Sequence, residues 1–256
     1  MKVTFLGTGS AYGIPTCGGD WGACDPDNQK NRRMCQSLLI ESGTTCILID
    51  MGPSFREQSI TYGVRDLDAI LFTHAHYDHF AGLPELPNFV KWQTKPITLY
   101  AHRDTWAGIQ KSIFWMFDDA IQIQYYGDQK PSNADFDYYV PFKIGDIEVL
   151  PILQNHGGFS SAGFRIGDFA YSTDLNSMPE QSWQALEGVK TWVLECDCVK
   201  PSKDHNHLQQ AIDWINKVRP EKCYLTHLSI TMDHDTVRRQ LPEGAYVAWD
   251  GLEIIV

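Results

Sequence analysis

The sequence predicts a domain that combines β-strands and α-helices. Short apolar segments rich in β-forming residues occur along the whole chain, and segments with helical periodicity lie between some of them. A length of 256 residues with 43% hydrophobic residues is enough for one substantial core. The chain has no obvious linker, internal repeat or low-complexity segment. We therefore expect one domain over residues 1–256.

The composition narrows the function and the environment. The net charge is −11, with 32 acidic against 21 basic residues, which argues against binding to nucleic-acid backbones or anionic membranes. The first apolar segment is too short for a signal peptide, and no stretch of about eighteen apolar residues occurs. The seven cysteines, an odd number, favour reduced thiols. We expect a cytoplasmic enzyme with a small substrate.

The first predicted strand is Lys2–Leu6, and a glycine turn, Gly7–Ser10, follows it. The backbone N–H groups of this turn suit either a structural role or contact with a substrate phosphate. Residues 13–33 are rich in Gly, Pro, Asp and Asn, which is typical of a loop, and they include Cys17 and Cys24.

A β-hairpin is predicted from Ser37–Glu41 and Thr45–Ile49, which flank a Ser-Gly-Thr turn. Asp50 follows its second strand. A carboxylate at this position is suited to accept the second ring N–H of a metal-bound histidine, although an ordinary turn aspartate is the alternative.

The next apolar segment, Ala69–Phe72, ends at four potential metal ligands within six positions. These are His74, His76, Asp78 and His79. Side chains two residues apart in extended chain point the same way, so one pair of histidines can bind one ion. A turn after the pair would present the other two residues to a second ion. Histidines placed this close gain little from one another without a cation, so the pattern indicates a metal site.

The middle of the chain combines a strand, Ile97–Ala101, with a predicted helix, Asp104–Phe117. The following residues, up to Tyr139, are rich in aromatic and acidic side chains. Their aromatic residues suit the core or a subunit interface, and a substrate pocket is the alternative. A homodimer is the oligomeric state that an exposed aromatic segment favours.

The second half of the chain repeats one arrangement, in which a strand is followed by a potential ligand. The pairs are Ile147–Leu153 with His156, Phe169–Ser172 with Asp174, and Lys222–Leu225 with His227. Between the last two pairs, apolar residues at positions 208, 211, 212, 215 and 218 mark the buried face of a predicted helix, which ends before Pro220. His205 and His207 precede this helix, and Cys196 and Cys198 are expected to be reduced structural thiols.

The segment His74-Ala-His76-Tyr-Asp78-His79 matches the HxHxDH signature of the metallo-β-lactamase superfamily. Together with FLGTGSAYGIP near the start and LTH and WDGLEI near the end, the chain resembles the phosphoribosyl 1,2-cyclic phosphodiesterase (PhnP-like) branch. The tRNA 3′-processing endonucleases are more distant relatives. The resemblance implies a domain of the α+β class, namely a four-layer αβ/βα sandwich with metals at one edge, and a variable insertion at about residues 104–139.

The resemblance also implies a dinuclear metal centre. One ion is expected at His74, His76 and His156, the other at Asp78, His79 and His227, with Asp174 bridging them. The ions are expected to be zinc or manganese, with iron as an alternative. The family's catalytic histidine lies three residues before the first buried helix position, which selects His205 and leaves His207 as the alternative. Asp78 counts as a catalytic residue as well as a ligand.

In the resembled phosphodiesterases a tight cysteine cluster and a distant histidine bind a structural zinc. Here Cys17 and Cys24 are separated by six residues, and Ile230 stands where the extra histidine would fall. We therefore expect no structural zinc and a loop packed around Trp21. The nearby basic cluster, comprising Lys30, Arg32 and Arg33, is expected to be solvated or salt-bridged, with a contact to substrate phosphate as the alternative.

The expected function is hydrolysis of a small cyclic or linear phosphodiester, in which a hydroxide held between two metal ions is the nucleophile. His205 would protonate the leaving group. The partners expected are a small phosphorylated substrate and a second copy of the chain, without stable nucleic-acid or membrane binding. Three alternatives fit the same ligands: a thioester or lactone hydrolase, a tRNA 3′-processing endonuclease, and a non-catalytic accessory protein.

Overall fold

The computed structural model describes residues 1–117 and 131–256, and within these residues the strands form two seven-stranded sheets. The first sheet has the order β14-β1-β2-β3-β4-β5-β6. Its strands are β1 (Lys2–Gly7), β2 (Ser37–Glu41), β3 (Cys46–Ile49), β4 (Ala69–Leu71), β5 (Thr98–Ala101), β6 (Ser132–Asp135) and β14 (Glu253–Ile255). Strands β3 to β6 are parallel to one another, whereas the others pair antiparallel.

The second sheet has the order β13-β12-β11-β10-β9-β8-β7. Its strands are β7 (Phe142–Ile144), β8 (Ile147–His156), β9 (Phe159–Ile166), β10 (Phe169–Ser172), β11 (Thr191–Glu195), β12 (Lys222–Thr226) and β13 (Ala245–Val247). Strands β10 to β13 run parallel, so their carboxyl ends meet at one edge. Both sheets therefore offer a parallel half whose strand ends can place side chains together.

The helices pack on the outer faces of the sheets. Those of the described residues are α1 (Phe55–Thr61), α2 (Tyr77–Phe80), α3 (Leu86–Phe89), α4 (Arg103–Ser112), α5 (Glu180–Ala185), α6 (Leu208–Val218) and α7 (His234–Arg238). In this part of the chain no helix has the length and apolar character needed to cross a membrane.

Three apolar clusters define four layers. The first cluster lies between the sheets and joins side chains of both, such as Val3, Ile40 and Phe164. The second packs α1, α3 and α4 against the outside of the first sheet, and the third packs α6 and α7 against the outside of the second. The arrangement is the predicted αβ/βα sandwich, so the fold class is confirmed.

Most predicted elements match the structure. The hairpin pairs β2 with β3 as expected, and α6 ends at Val218, before Pro220, as predicted. The predicted helix over Asp104–Phe117 is shorter, because α4 ends at Ser112 and a 3-10 turn, Phe114–Met116, follows. Part of the expected insertion at about residues 104–139, namely 118–130, lies outside the described residues.

Candidate metal centre

Four strand ends converge on the candidate metal centre. His74 and His76 follow β4, and α2 carries Asp78 and His79 directly after them. The remaining predicted ligands come from the second sheet: His156 ends β8, Asp174 follows β10 and His227 follows β12. The structure therefore brings all seven predicted ligands to one edge of the sandwich, and two of the groups that they form there are those that the resemblance implies.

The backbone at this edge is strained at three of the polar residues. Asp50, Asp174 and His227 have φ angles of 61°, 53° and 54°, a left-handed conformation that non-glycine residues seldom adopt. Each follows a strand, and the conformation turns the chain sharply at the sheet edge. Such strain persists only where the surrounding structure enforces it, and it is common at functional sites.

The first group comprises His74, His76, His156 and Oδ1 of Asp174. Nε2 of His156 lies 3.2 Å from Nδ1 of His76 and 3.7 Å from the Asp174 oxygen. Nε2 of His74 lies 3.9 Å from the same oxygen and has no hydrogen-bond partner, although it is buried. Four potential donor atoms thus face one point.

The second group comprises Asp78, His79, His227 and Oδ2 of Asp174. Nε2 of His79 lies 3.0 Å from Oδ2 of Asp78 and 3.1 Å from Oδ2 of Asp174. Nε2 of His227 lies 3.4 Å from each of the same two oxygens. Ligand atoms bound tetrahedrally to zinc are about 3.3 Å apart, so these distances fit a divalent ion.

Asp174 connects the two groups because its oxygens divide between them, Oδ1 toward the first and Oδ2 toward the second. This is the geometry that a bridging carboxylate needs. Imidazole nitrogens and carboxylate oxygens form a donor set that suits zinc, manganese or iron. The residues present therefore fit two divalent ions.

The charges in the cluster favour a cation at its centre. Burial alone would raise the pKa of Asp174, but the surrounding histidines, His227 first, hold that pKa well below its usual value. Burial would lower the pKa of His227, yet Asp174 and the neighbouring carboxylates raise it to about 10. Burial lowers the pKa of His74, which keeps this imidazole neutral and able to bind a metal.

Asp50 makes the hydrogen bond that the sequence predicted for it. Its Oδ2 accepts from Nδ1 of His79 at 2.7 Å, and its two oxygens also accept from the backbone N–H and the hydroxyl of Thr73. This bond fixes the ring so that Nε2 of His79 points into the second group. Asp50 is completely buried, so the orientation is firmly held.

His205 lies beside the centre, whereas His207 does not contact it. Nδ1 of His205 is 3.8 Å from Oδ1 of Asp174, and its ring packs on those of His156 and His227. His207 caps α6, where its backbone pairs with Cys198. The geometry favours His205 over the alternative.

Glu195 is a site residue that the sequence analysis missed. It ends β11 fully buried, and its Oε1 is hydrogen-bonded to Nδ1 of His205. Burial raises the pKa of Glu195 to about 7, although its hydrogen bond with His205 opposes this rise. Burial would lower the pKa of His205, but Glu195 raises it above the usual value. In the segment TWVLE an acid, Glu195, stands at the end of a predicted apolar run. This pattern alone does not distinguish Glu195 from an ordinary surface acid.

Gln36 is a second residue that the sequence did not reveal. It is completely buried between the sheets' edges, and its Oε1 accepts from the Thr226 hydroxyl at 2.5 Å and from the backbone N–H of His227 at 3.2 Å. The side chain thus supports the strained backbone of a predicted ligand.

The glycine turn after β1 has a structural role. The backbone N–H and hydroxyl of Thr8 donate to Oδ1 of Asp250, at 2.8 and 2.7 Å, and the N–H of Gly9 donates to the carbonyl of Met34. The N–H of Ser10 donates to the carbonyl of Leu228. These donors are already used within the protein, so the turn does not offer them to a substrate phosphate.

The expectation that Arg33 is solvated or salt-bridged is wrong. Arg33 is buried, and its guanidinium donates to the carbonyl of Met232 at 2.9 Å and to Oδ1 of Asn31 at 3.2 Å. The cation is accommodated because the loop folds around it and supplies acceptors. Arg32 remains exposed and lies over the ring of Trp21, as a loop packed around this tryptophan requires.

A pocket of about 730 Å³ opens beside the first group of ligands. His74 and His76 line one side, α4 lines another, and Tyr138 and Phe159 complete the wall. Its volume lies within the range of about 300–1,000 Å³ that is typical of small-molecule sites. A small substrate therefore has room next to the metal centre.

Comparisons with known proteins show the family and the fold. A family model described as the β-lactamase superfamily domain matches residues 45–228, a range that contains all seven predicted ligands and His205. A solved structure of a diphosphatase from the PhnP family superposes with a TM-score of 0.89 at 28% identity, covering 100% of this chain and 97% of that one.

Two curated relatives are longer than this chain. The octanoyltransferase of Porphyromonas gingivalis is 29% identical over 100% of this chain and 52% of its own length. A ribonuclease Z of Methanococcus maripaludis is 28% identical over 60% of this chain and 47% of its own length. This chain therefore matches only about half the length of either relative.

Proposed function

The chain belongs to the metallo-β-lactamase superfamily of hydrolases, and from this premise we propose that it is a phosphodiesterase that acts on small cyclic or linear phosphodiesters. The observation that carries the proposal is the position of Asp174, whose two oxygens each complete a separate group of three predicted ligands. We assign one divalent ion, zinc or manganese, to each group. Bound ions of this kind supply Lewis acidity, which lowers the pKa of water and offsets negative charge on a phosphoryl group.

The chain's own residues would orient the substrate and transfer the proton. His205 is held through Nδ1 by Glu195, which leaves Nε2 to donate a proton to the departing alkoxide. The carboxylate raises the pKa of His205 and so favours the protonated form that this role needs. Similarity to a diphosphatase at 28% identity supports chemistry at phosphorus.

The chain's charge argues against a larger nucleic-acid substrate. A ribonuclease Z is among the relatives, but a net charge of −11 gives little attraction for an RNA backbone. We therefore propose a small phosphorylated substrate.

The test is hydrolysis of bis(p-nitrophenyl) phosphate by protein stripped of metal and reloaded separately with manganese or zinc. Activity that returns with metal and is absent from Asp78→Ala supports the proposal. Asp78 is buried beside His227 in the second group, so removal of the Asp78 carboxylate should disable this group. Absence of turnover with either metal, although two ions are bound, contradicts it.

Hydrolysis of an acyl thioester is the second candidate. A relative that matches all of this chain over 52% of its own length is named an octanoyltransferase, and a metal-bound hydroxide can also attack an acyl thioester. Release of octanoate from an octanoyl thioester of N-acetylcysteamine, measured beside the phosphodiester assay on the same metal-loaded protein, discriminates the two. The higher kcat/KM identifies the better substrate class.

A further inference from the structure

We propose that the pocket beside His76 binds the leaving group of the substrate and selects one that carries a planar ring, as a nucleoside does. Phe159 would stack on this ring. The inference rests on the proposed phosphodiesterase function and adds the class of alcohol whose ester bond to phosphorus is broken. In a linear substrate this alcohol departs, and in a cyclic substrate it stays in the product through its second ester bond.

Phe159 lies where a substrate ring would need a platform. It follows Gly157 and Gly158 at the tip of the β8–β9 hairpin, and its ring lies 5.6 Å from that of His76 with an angle of 75° between the planes. Its exposed fraction is 69%, so the side chain contributes little to the core. A large, exposed aromatic ring beside predicted metal ligands is suited to bind a flat, apolar group.

Tyr138 forms another part of the pocket wall. Its ring stacks on that of His102, with centroids 4.5 Å apart and planes inclined by 24°. Burial raises the pKa of Tyr138 to about 12, so the phenol stays neutral at physiological pH. The pocket therefore has two aromatic walls that carry no charge, which favours a neutral ring over an ionic group.

Helix α4 adds polar groups to the pocket. It lies directly against the metal loop, because a Cβ on Gly108 would come within 2.5 Å of that of Ala75. The pocket-lining side chains of α4 recur on one helical face and are hydroxyl or charged groups: Asp104, Thr105, Lys111 and Ser112. The opposite face, with Trp106 and Ile109, is in the core.

These features together suit a nucleoside-like alcohol. The aromatic walls can hold the ring, while the hydroxyl and charged groups of α4 can bond to sugar hydroxyls or to polar ring edges. A simple aliphatic alcohol would use neither.

The experiment compares two substrates that share the same five-membered cyclic phosphate. Adenosine 2′,3′-cyclic phosphate carries a base, and glycerol 1,2-cyclic phosphate does not. Wild type, Phe159→Ala and Phe159→Trp are assayed with manganese, and Tyr246→Ala, which removes a 44% exposed aromatic residue from β13, is the matched control.

Loss of one stacking ring is expected to lower kcat/KM for the adenosine substrate by about 5- to 150-fold, mainly through KM. Phe159→Trp should restore activity, and Tyr246→Ala should leave it unchanged. The glycerol substrate should respond little to any of these changes. Equal losses on both substrates in Phe159→Ala would overturn the inference, because Phe159 would then act only by supporting His76.

Failure of the phosphodiesterase proposal has a different signature, namely that wild type hydrolyses neither cyclic phosphate. Whether Phe159 stacks on a ligand ring is then tested by calorimetry, which measures the binding of adenosine 3′-monophosphate to the metal-loaded protein. Weaker binding to Phe159→Ala, with Tyr246→Ala unaffected, supports a ring site. Equal affinity of wild type and Phe159→Ala overturns it.

Discussion

Two buried polar clusters in this protein use charge in opposite ways. The metal centre collects histidines and carboxylates whose donor atoms face one another, and buried nitrogens such as Nε2 of His74 have no hydrogen-bond partner. The Arg33 cluster, which comprises Cys24, Asn31, Arg33, Met232 and Asp233, instead gives both terminal nitrogens of its cation acceptors in the same chain, and only Nε of Arg33 has none. Asn31 also donates to Asp233 at 2.7 Å, which extends the network.

The difference shows how a buried polar cluster is recognised as a binding site. Burying charge is costly unless each group is paired, so a cluster that pairs its own groups serves the fold. A cluster that leaves several donor atoms directed at one point is stabilised only when a ligand arrives. Changes in the Arg33 cluster should therefore affect stability, and changes in the metal centre should affect metal content and turnover.

The largest effect is expected for Asp174→Ala. Because both groups share this carboxylate, turnover should fall by more than about 10,000-fold, beyond what one general acid contributes. Metal content should drop below one ion per chain, as measured by mass spectrometry. Asp168→Ala, which removes an exposed carboxylate paired with Lys190, is the control and should keep both metals. Retention of two ions in Asp174→Ala would show that it does not bridge.

His205→Ala is expected to lower turnover by about 100-fold or more on substrates with alkyl leaving groups. The loss should be much smaller with p-nitrophenolate, a leaving group that needs no proton. Metal content should not change. His207→Ala, at the start of α6, is the matched variant and should retain activity. If His205→Ala loses metal, the residue is a ligand and the proton-donor role is wrong.

Arg33→Met should destabilise the protein without altering its chemistry. The carbonyl of Met232 and Oδ1 of Asn31 lose the donor that Arg33 supplies, which should cost about 2–4 kcal/mol of unfolding free energy in urea titrations. Turnover per folded molecule should stay at the wild-type value. The exposed neighbour, changed as Arg32→Met, should cost less than about 0.5 kcal/mol. A loss of kcat in folded Arg33→Met would contradict the claim that the Arg33 cluster affects stability alone.

Glu195→Gln tests the pH dependence of the proposed proton donor. Glu195 raises the pKa of His205, and a general acid is active below its pKa and loses activity as pH rises through it. The variant should therefore lose activity at lower pH than wild type, with turnover reduced by about 10-fold. The pH profile of kcat measures this, because a purely structural role would lower activity equally at all pH values.

The smallest effect is expected for Asp233→Ala, at the edge of the Arg33 cluster. Burial would raise the pKa of Asp233, but hydrogen bonds from Thr236, Asn31 and Asp25 lower it to about 2. Because the folded-state pKa is depressed, its stabilisation is present above about pH 4 and is lost as pH falls toward 2. The variant should lose about 1 kcal/mol of unfolding free energy at pH 7, which is the cost of losing a helix cap, and little at pH 2. An equal difference at both pH values would contradict this.

Much of the site could be predicted because its residues lie at short, regular spacings. His74, His76, Asp78 and His79 are close together in sequence, and the other three predicted ligands each lie at or just after the end of a strand. The chain order thus carried the information, and the structure groups these residues as expected. Their role as ligands remains a prediction, as do the homodimer and the cytoplasmic location.

Glu195, Gln36 and Arg33 could not be assigned in the same way. Each depends on residues far along the chain: Gln36 bonds to His227, and Arg33 to Met232. Glu195 meets His205 only because β11 ends beside the loop that precedes α6. A single acid, amide or guanidinium in a sequence carries no signal of such partners.

The sequence by itself, through its motif and its resemblance to a known family, determined the α+β class, the strands that carry the predicted ligands and the group of residues at the candidate metal centre. Local spacing specifies secondary structure, and strand ends at one edge of a sheet bring their residues together. Only the tertiary structure decided which histidine meets Glu195, where the Arg33 cation is buried and that Phe159 borders the pocket. These features depend on contacts between distant segments, and the energy of such contacts is fixed by packing and burial in the folded chain.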